Sequence, residues 1–115
     1  MKYMLLIYRE EAAMLSMSEA DRSQMTAAYG AYTQAMMQAG TFVDGGRLRP
    51  TNAATTVRTA NGNTEVLNGP YAETREQLGG YYMIEAPDLD AALSWAARCP
   101  GASTGSIEVR PIWEM

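Results

Sequence analysis

The chain has 115 residues, a formal charge of −4 and no histidine. That length makes one domain, 1–115, with interior enough to do without disulfide staples. The missing imidazole removes the usual general base, haem ligand and zinc ligand together, and basic residues scattered through an acidic chain offer no positive face for nucleic acid. No metal or other cofactor is therefore expected, since carboxylates that could hold a hard cation come without a ligand motif.

Lys2 to Arg9 is a continuous apolar run rich in strand formers, which predicts a strand buried on both faces. The run is too short for a signal-peptide h-region, nothing later approaches a membrane span, and a lone Cys99 suits a reducing compartment. The cytoplasm is the expected location. Cys99 is expected to pack at a helix end. Glu10 to Met17 reads ambiguously, as a loop with a loose helical turn. Ser16 and Glu19 have capping-box spacing, with Ser18 as an alternative cap, so a helix begins here. Met25, Ala28, Tyr29, Tyr32, Met36 and Ala39 recur at three- and four-residue steps and form its apolar stripe. Gly40 ends the helix as a left-handed cap.

Thr41 to Leu48 predicts a second strand, with a bulge at Gly45-Gly46. Ala54 to Ala60 and Thr64 to Leu67, joined through Asn61-Gly62, predict a hairpin on a type I′ turn. A charged loop follows, and Tyr81 to Ala86 is again an apolar strand. Pro87-Asp88 opens a second helix capped by Asp88, with Leu89, Ala92, Leu93 and Ala96 on its buried side. Pro100-Gly101 stops it, and Ser106 to Ile112 closes the chain as a strand. The order is β-α-β-β-β-β-α-β, a βαβ unit at each end with a hairpin between. Two helices cover one face of such a sheet, yet two of its strands are apolar on both sides. A two-fold homodimer is the economical cover for the other face.

The charged loop is the most particular stretch: Asn68-Gly69-Pro70-Tyr71-Ala72-Glu73-Thr74-Arg75-Glu76-Gln77-Leu78-Gly79-Gly80. Gly69-Pro70 marks a turn, and Gly79-Gly80 lets the backbone bend or approach a neighbour closely. This stretch resembles the signature of the YCII-related proteins, in the branch named for an Asp-Gly-Pro-Phe motif followed by Ala-Glu-Thr-Lys-Glu. The similarity continues through Tyr81, Leu89-Asp90-Ala91-Ala92-Leu93, Trp95-Ala96-Ala97 and Ile107-Glu108-Val109-Arg110-Pro111, so it covers nearly the whole chain. The resemblance implies a ferredoxin-like α+β domain, an antiparallel-dominated sheet with two helices on one face, that pairs as a dimeric α+β barrel around a small pocket. Genes of this branch accompany or fuse with extracytoplasmic-function sigma factors, which admits a sigma factor as partner. Relatives in the wider group are associated with a histidine–aspartate pair, which cannot exist here.

Asn68 stands where the family motif has aspartate. An amide can cap a turn as a carboxylate does but cannot act as a base. Tyr71 replaces phenylalanine and is expected as an aromatic plug. Arg75 replaces lysine, favouring bidentate contact over proton transfer. Glu108 and Arg110 alternate onto one face of the last strand, lining a polar pocket or pairing across strands. Tyr8, Arg9 and Asp44 are expected as further walls. The expected ligand-binding set is thus Tyr8, Asp44, Asn68, Tyr71, Glu73, Arg75, Glu108 and Arg110, with Glu73 and Asp44 the best candidates for a base. The first functional reading is a dimeric small-molecule-binding protein of regulatory type, without histidine-based catalysis. The alternatives are a cofactor-free lyase- or isomerase-type enzyme on a small polar or carboxylated substrate, and a protein interaction module.

Overall fold

The computed structural model describes residues 1–114. Its strands are β1 (Lys2–Arg9), β2 (Phe42–Arg47), β3 (Thr55–Ala60), β4 (Asn63–Asn68), β5 (Gln77–Glu85) and β6 (Ser106–Pro111). The α-helices are α1 (Glu11–Leu15), α2 (Glu19–Gln38) and α3 (Leu89–Arg98), with 3-10 turns at Thr51–Ala53 and Pro100–Ser103. Four strands form one antiparallel sheet in the order β2-β5-β1-β6, and β3-β4 form a separate two-stranded ribbon. This is the ferredoxin-like α+β arrangement, with the ribbon inserted between the two central crossovers.

Local signals placed the helices well. Ser18, not Ser16, caps α2 by accepting the Asp21 N–H at 3.1 Å, and Asp88 caps α3 by accepting the Ala91 N–H at 2.9 Å. At the far end of α2, Thr41 N–H reaches Met36 O and Gly40 N–H reaches Met37 O. Gly40 has φ 70°, so the two bonds complete a Schellman cap. The ambiguous segment after β1 contains the short helix α1.

The core lies between the sheet and the α2–α3 layer. Tyr3, Leu5 and Ile7 of β1 and Ile84 of β5 meet Tyr32 and Met36 of α2 and Ala92, Ala96 and Cys99 at α3. Tyr32 ties the layers together: its hydroxyl donates to Trp95 O at 2.7 Å, and its ring packs edge-on to Tyr82 and Trp95. The expected stripes narrow on both helices. Ala28 and Ala39 are exposed, and so are Leu89 and Leu93 at 49% and 46%. The reason is geometric: α3 turns its alanines toward the sheet, where small side chains allow close approach, and that rotates the leucines outward.

Two strand boundaries also differ from the sequence pattern. β5 begins at Gln77, four residues before the apolar run, because Arg9 and Tyr8 pair with Gln77 and Leu78. Gly79 is the residue left over where the β1–β5 register shifts, so the glycine pair belongs to the strand and bends it. In β2 the register shifts at Val43 rather than at Gly45-Gly46. The glycines have another task there: a Cβ on Gly45 would come 2.8 Å from the Tyr82 ring, and one on Gly46 3.0 Å from the Tyr81 ring. The absent side chains leave room for two tyrosines to lie across the edge strand.

Alternation along β1 and β5 leaves Met4, Leu6, Tyr81 and Met83 on the face away from the helices. All four are only half-buried. The β3-β4 ribbon is also uncovered, with the facing pair Val57 and Val66 exposed at 61% and 63%. Asn61 and Gly62 carry its turn at φ 52° and 79°, as the type I′ geometry requires.

Candidate functional site

The loop from Asn68 to Gln77 walls a cavity of about 320 Å³, open to solvent and lined by Thr51, Asn52, Gly69, Pro70, Ala72, Glu73, Thr74 and Gln77. Its entry is pinned at the Gly69 peptide groups: Gly69 N–H donates to Ala54 O at 2.8 Å, and the Thr56 hydroxyl donates to Gly69 O at 2.8 Å. Gly69 has φ 112°, a conformation that excludes a side chain at little short of strain. This turn aims the loop back toward the end of β1.

Two of the lining residues, Thr51 and Gln77, are held from behind by Glu11, a residue that carried no signal in the sequence. Its carboxylate accepts Thr51 N–H at 2.7 Å and the Thr51 hydroxyl at 2.8 Å. Its own N–H donates to Gln77 Oε1 at 2.9 Å, and Gln77 Nε2 donates to Thr74 O at 2.6 Å. One chain of bonds therefore runs from the 3-10 turn through α1 to the loop. Hydrogen bonds to an ionised carboxylate are the stronger kind, so the cavity has a fixed rim on this side. Ser106 Oγ donates to Glu76 Oε1 at 2.8 Å, tying the loop to β6 as well.

A second cluster occupies the helix-free face of the sheet. Tyr8 donates to Glu108 Oε1 at 3.4 Å, a long bond between neighbours on β1 and β6. Partial burial raises the Tyr8 pKa; the Glu108 carboxylate raises it further and Arg110 opposes them. Tyr71 lies in sequence between the cavity-lining Pro70 and Ala72 but does not itself line the cavity. It is 78% exposed, so it is not the aromatic plug expected.

The remaining candidates separate. Asp44 lies across from Met83 on the edge strand and spends Oδ1 on Gly45 N–H at 2.8 Å. Arg75 turns outward, 92% exposed, to pair with Glu10 at 3.5 Å; a surface pair of that kind is worth ~0–1 kcal/mol. Asn68 ends β4 opposite Thr55 and is exposed. Arg9 is on the helix side of the sheet, not beside Tyr8, because successive side chains of a strand point to opposite faces. Of the residues expected from the sequence, Glu73 lines the cavity and Tyr8, Glu108 and Arg110 share the helix-free face, whereas Glu11, Thr51 and Asn52 carried no signal. Gln77 and Thr74 stood inside the motif without a role. Among the described residues no three His, Cys, Asp or Glu side chains converge as a metal site, and no helix is long and apolar enough to cross a membrane.

Comparison with known proteins bears on the same loop. The YCII-related domain profile matches residues 1–115. The chain belongs to the YCII-related family. An uncharacterized protein of Rhizobium meliloti (strain 1021) is 40% identical over 114 residues, covering 97% of this chain and 92% of the relative. The match spans the whole fold, ribbon and loop included.

Proposed function

We propose that this YCII-related protein is a homodimer that binds a small polar molecule in the cavity under the Asn68–Gln77 loop. The observation that carries the reading is the cavity itself. Its lining sets the hydroxyl, amide and carboxylate side chains of Thr51, Asn52, Glu73, Thr74 and Gln77 beside Pro70 and Ala72, with no methionine or aromatic ring filling it, and its rim is braced by Glu11 and Gln77. A braced cleft that carries such groups preorganises hydrogen bonds for a ligand, which lowers the ordering cost of binding. Glu73 and the neighbouring amides favour a ligand that carries hydrogen-bond donors.

Binding without catalysis fits the placement of the charges better than an enzyme does. A cofactor-free elimination or isomerisation needs a base beside a group that stabilises developing negative charge. Glu73 lines the cavity, but Arg75 points away to Glu10 and Asp44 is engaged by its own neighbour. The dimer enters through the helix-free sheet face, where Met4, Leu6, Tyr81 and Met83 form an apolar centre flanked by Glu108 and Arg110. Apolar surface of this kind, rimmed by charge, suits a partner of the same shape. In this reading ligand occupancy is a regulatory signal, and a sigma factor is the class of partner that would receive it.

Thermal-shift screening against a metabolite collection tests the binding reading. A ligand present at 100-fold over its Kd stabilises the fold by ~2.7 kcal/mol. Glu73→Gln and Asn52→Ala are expected to weaken that stabilisation while leaving the unliganded melting temperature in place. A compound that stabilises wild type and both variants equally binds elsewhere and counts against the cavity. Turnover of any such compound, lost in Glu73→Gln, would replace the binding reading by the enzymatic one.

A further inference from the structure

Arg9 occupies a place a cation rarely takes. The helix-facing row of β1 runs Tyr3, Leu5, Ile7 and then Arg9, so the guanidinium closes the end of the apolar core. Among the described residues its only polar contact to another side chain is Nη2 to the thioether of Met17 at 3.5 Å, and a thioether is a weak acceptor. Among the described residues no carboxylate forms an ion pair with it: the ion pairs present are the N-terminus with Glu85 and Arg75 with Glu10. Arg9 is half-buried, so part of its hydration is lost without a counter-charge in return.

The guanidinium opens into a separate cavity of about 180 Å³, lined by Arg9, Glu10, Ala13, Met17, Met25 and Thr104. It shares no residue with the cavity under the loop. Two methionines and an alanine make its body apolar. Methionine is unbranched and polarisable, and adapts to varied ligand shapes. Glu10, the one acidic lining residue, is already paired by Arg75, which leaves Arg9 as the unanswered charge.

We propose that this cavity is a second binding site, for a small carboxylate with an apolar body such as a short acyl or aryl acid. The carboxylate takes the two-pronged contact that a guanidinium offers, and the hydrocarbon lies against Met17, Met25 and Ala13. A volume of about 180 Å³ is below the ~300–1,000 Å³ of sites for drug-sized ligands, so the body is short. Nothing in this site depends on the reading of the loop cavity.

The test uses the full chain labelled with 13C at the methionine methyl groups, titrated with hexanoate, benzoate, hexan-1-ol and hexylamine. Hexanoate and benzoate are expected to move the Met17 and Met25 methyl resonances saturably while the other methionines stay in place. Hexylamine is expected to do nothing, and hexan-1-ol to bind at least tenfold more weakly than hexanoate. Arg9→Met is expected to weaken hexanoate tenfold or more, with Arg9→Lys between the two. Absence of saturable shifts with either acid overturns the proposal, as does equal binding of acid and alcohol. Because the acid–alcohol comparison is made on wild type, it decides the matter even if Arg9→Met does not fold.

Discussion

Leu6→Lys tests the assembly at the centre of the helix-free face. Leu6 lies on a central strand, directly opposite Tyr81 on one side and Glu108 on the other. In an isolated protomer position 6 is half-buried, so the lysine lays its stem along the sheet and carries its ammonium to water, its cross-strand pairing with Glu108 is worth ~0.2–1 kcal/mol, and the fold survives. In a dimer built on this face the same lysine is buried twice, once in each copy. Each copy then loses about 1 kcal/mol of leucine burial and takes a charge out of water, at a desolvation cost of roughly a few kcal/mol more even with Glu108 beside it. Doubled by the two-fold axis, a loss on the order of 6 kcal/mol raises the dimer dissociation constant by about four powers of ten. Sedimentation equilibrium of wild type and variant from 1 to 100 micromolar measures it, with circular dichroism as the check on fold. The reasoning fails if wild type is monomeric across that range, or if the lysine variant dimerises as wild type does.

Met36 is fully buried in the core, and Met36→Ala is expected to cost ~2–5 kcal/mol, read as a lower urea midpoint with an unchanged slope. Glu11→Ala removes both bonds to Thr51; a loss of ~1.5–3 kcal/mol should be accompanied by faster hydrogen exchange of the Thr51 amide, and unchanged exchange would show that the rim does not depend on Glu11. Gly69→Ala forces a side chain onto a backbone at φ 112°, at a cost of ~1–3 kcal/mol, and should abolish binding in the loop cavity before it unfolds the protein. Burial raises the pKa values of Tyr29 and Tyr32 well above the ordinary 10.0 of tyrosine. The unfolded chain then releases these protons first, so their contribution to stability is complete below pH 10 and is lost as pH climbs toward the folded-state values. Urea unfolding at pH 8 and pH 10.5 should show the fall, and Tyr32→Phe should show less of it; a pH-independent midpoint would refute the assignment.

Much of the molecule was legible in one dimension because its signals are local. The Asp88 cap, the Gly40 stop and the Asn61-Gly62 turn each depend on a few neighbouring residues, and the two-faced greasiness of Lys2–Arg9 announced a sheet with one side left over. Other features depend on register, which no short window contains. Pairing of Arg9 with Gln77 carried β5 past its apolar run into the motif, and the turn of α3 toward its alanines left Leu89 and Leu93 outside. The loop cavity shows the division most clearly. Composition marked residues 68–80 as unusual, but the groups that brace it are Glu11 and Thr51, drawn from segments forty residues apart in the chain. A charge can be read from the sequence; what answers it, as Glu10 answers Arg75, is decided only when folding brings distant segments together.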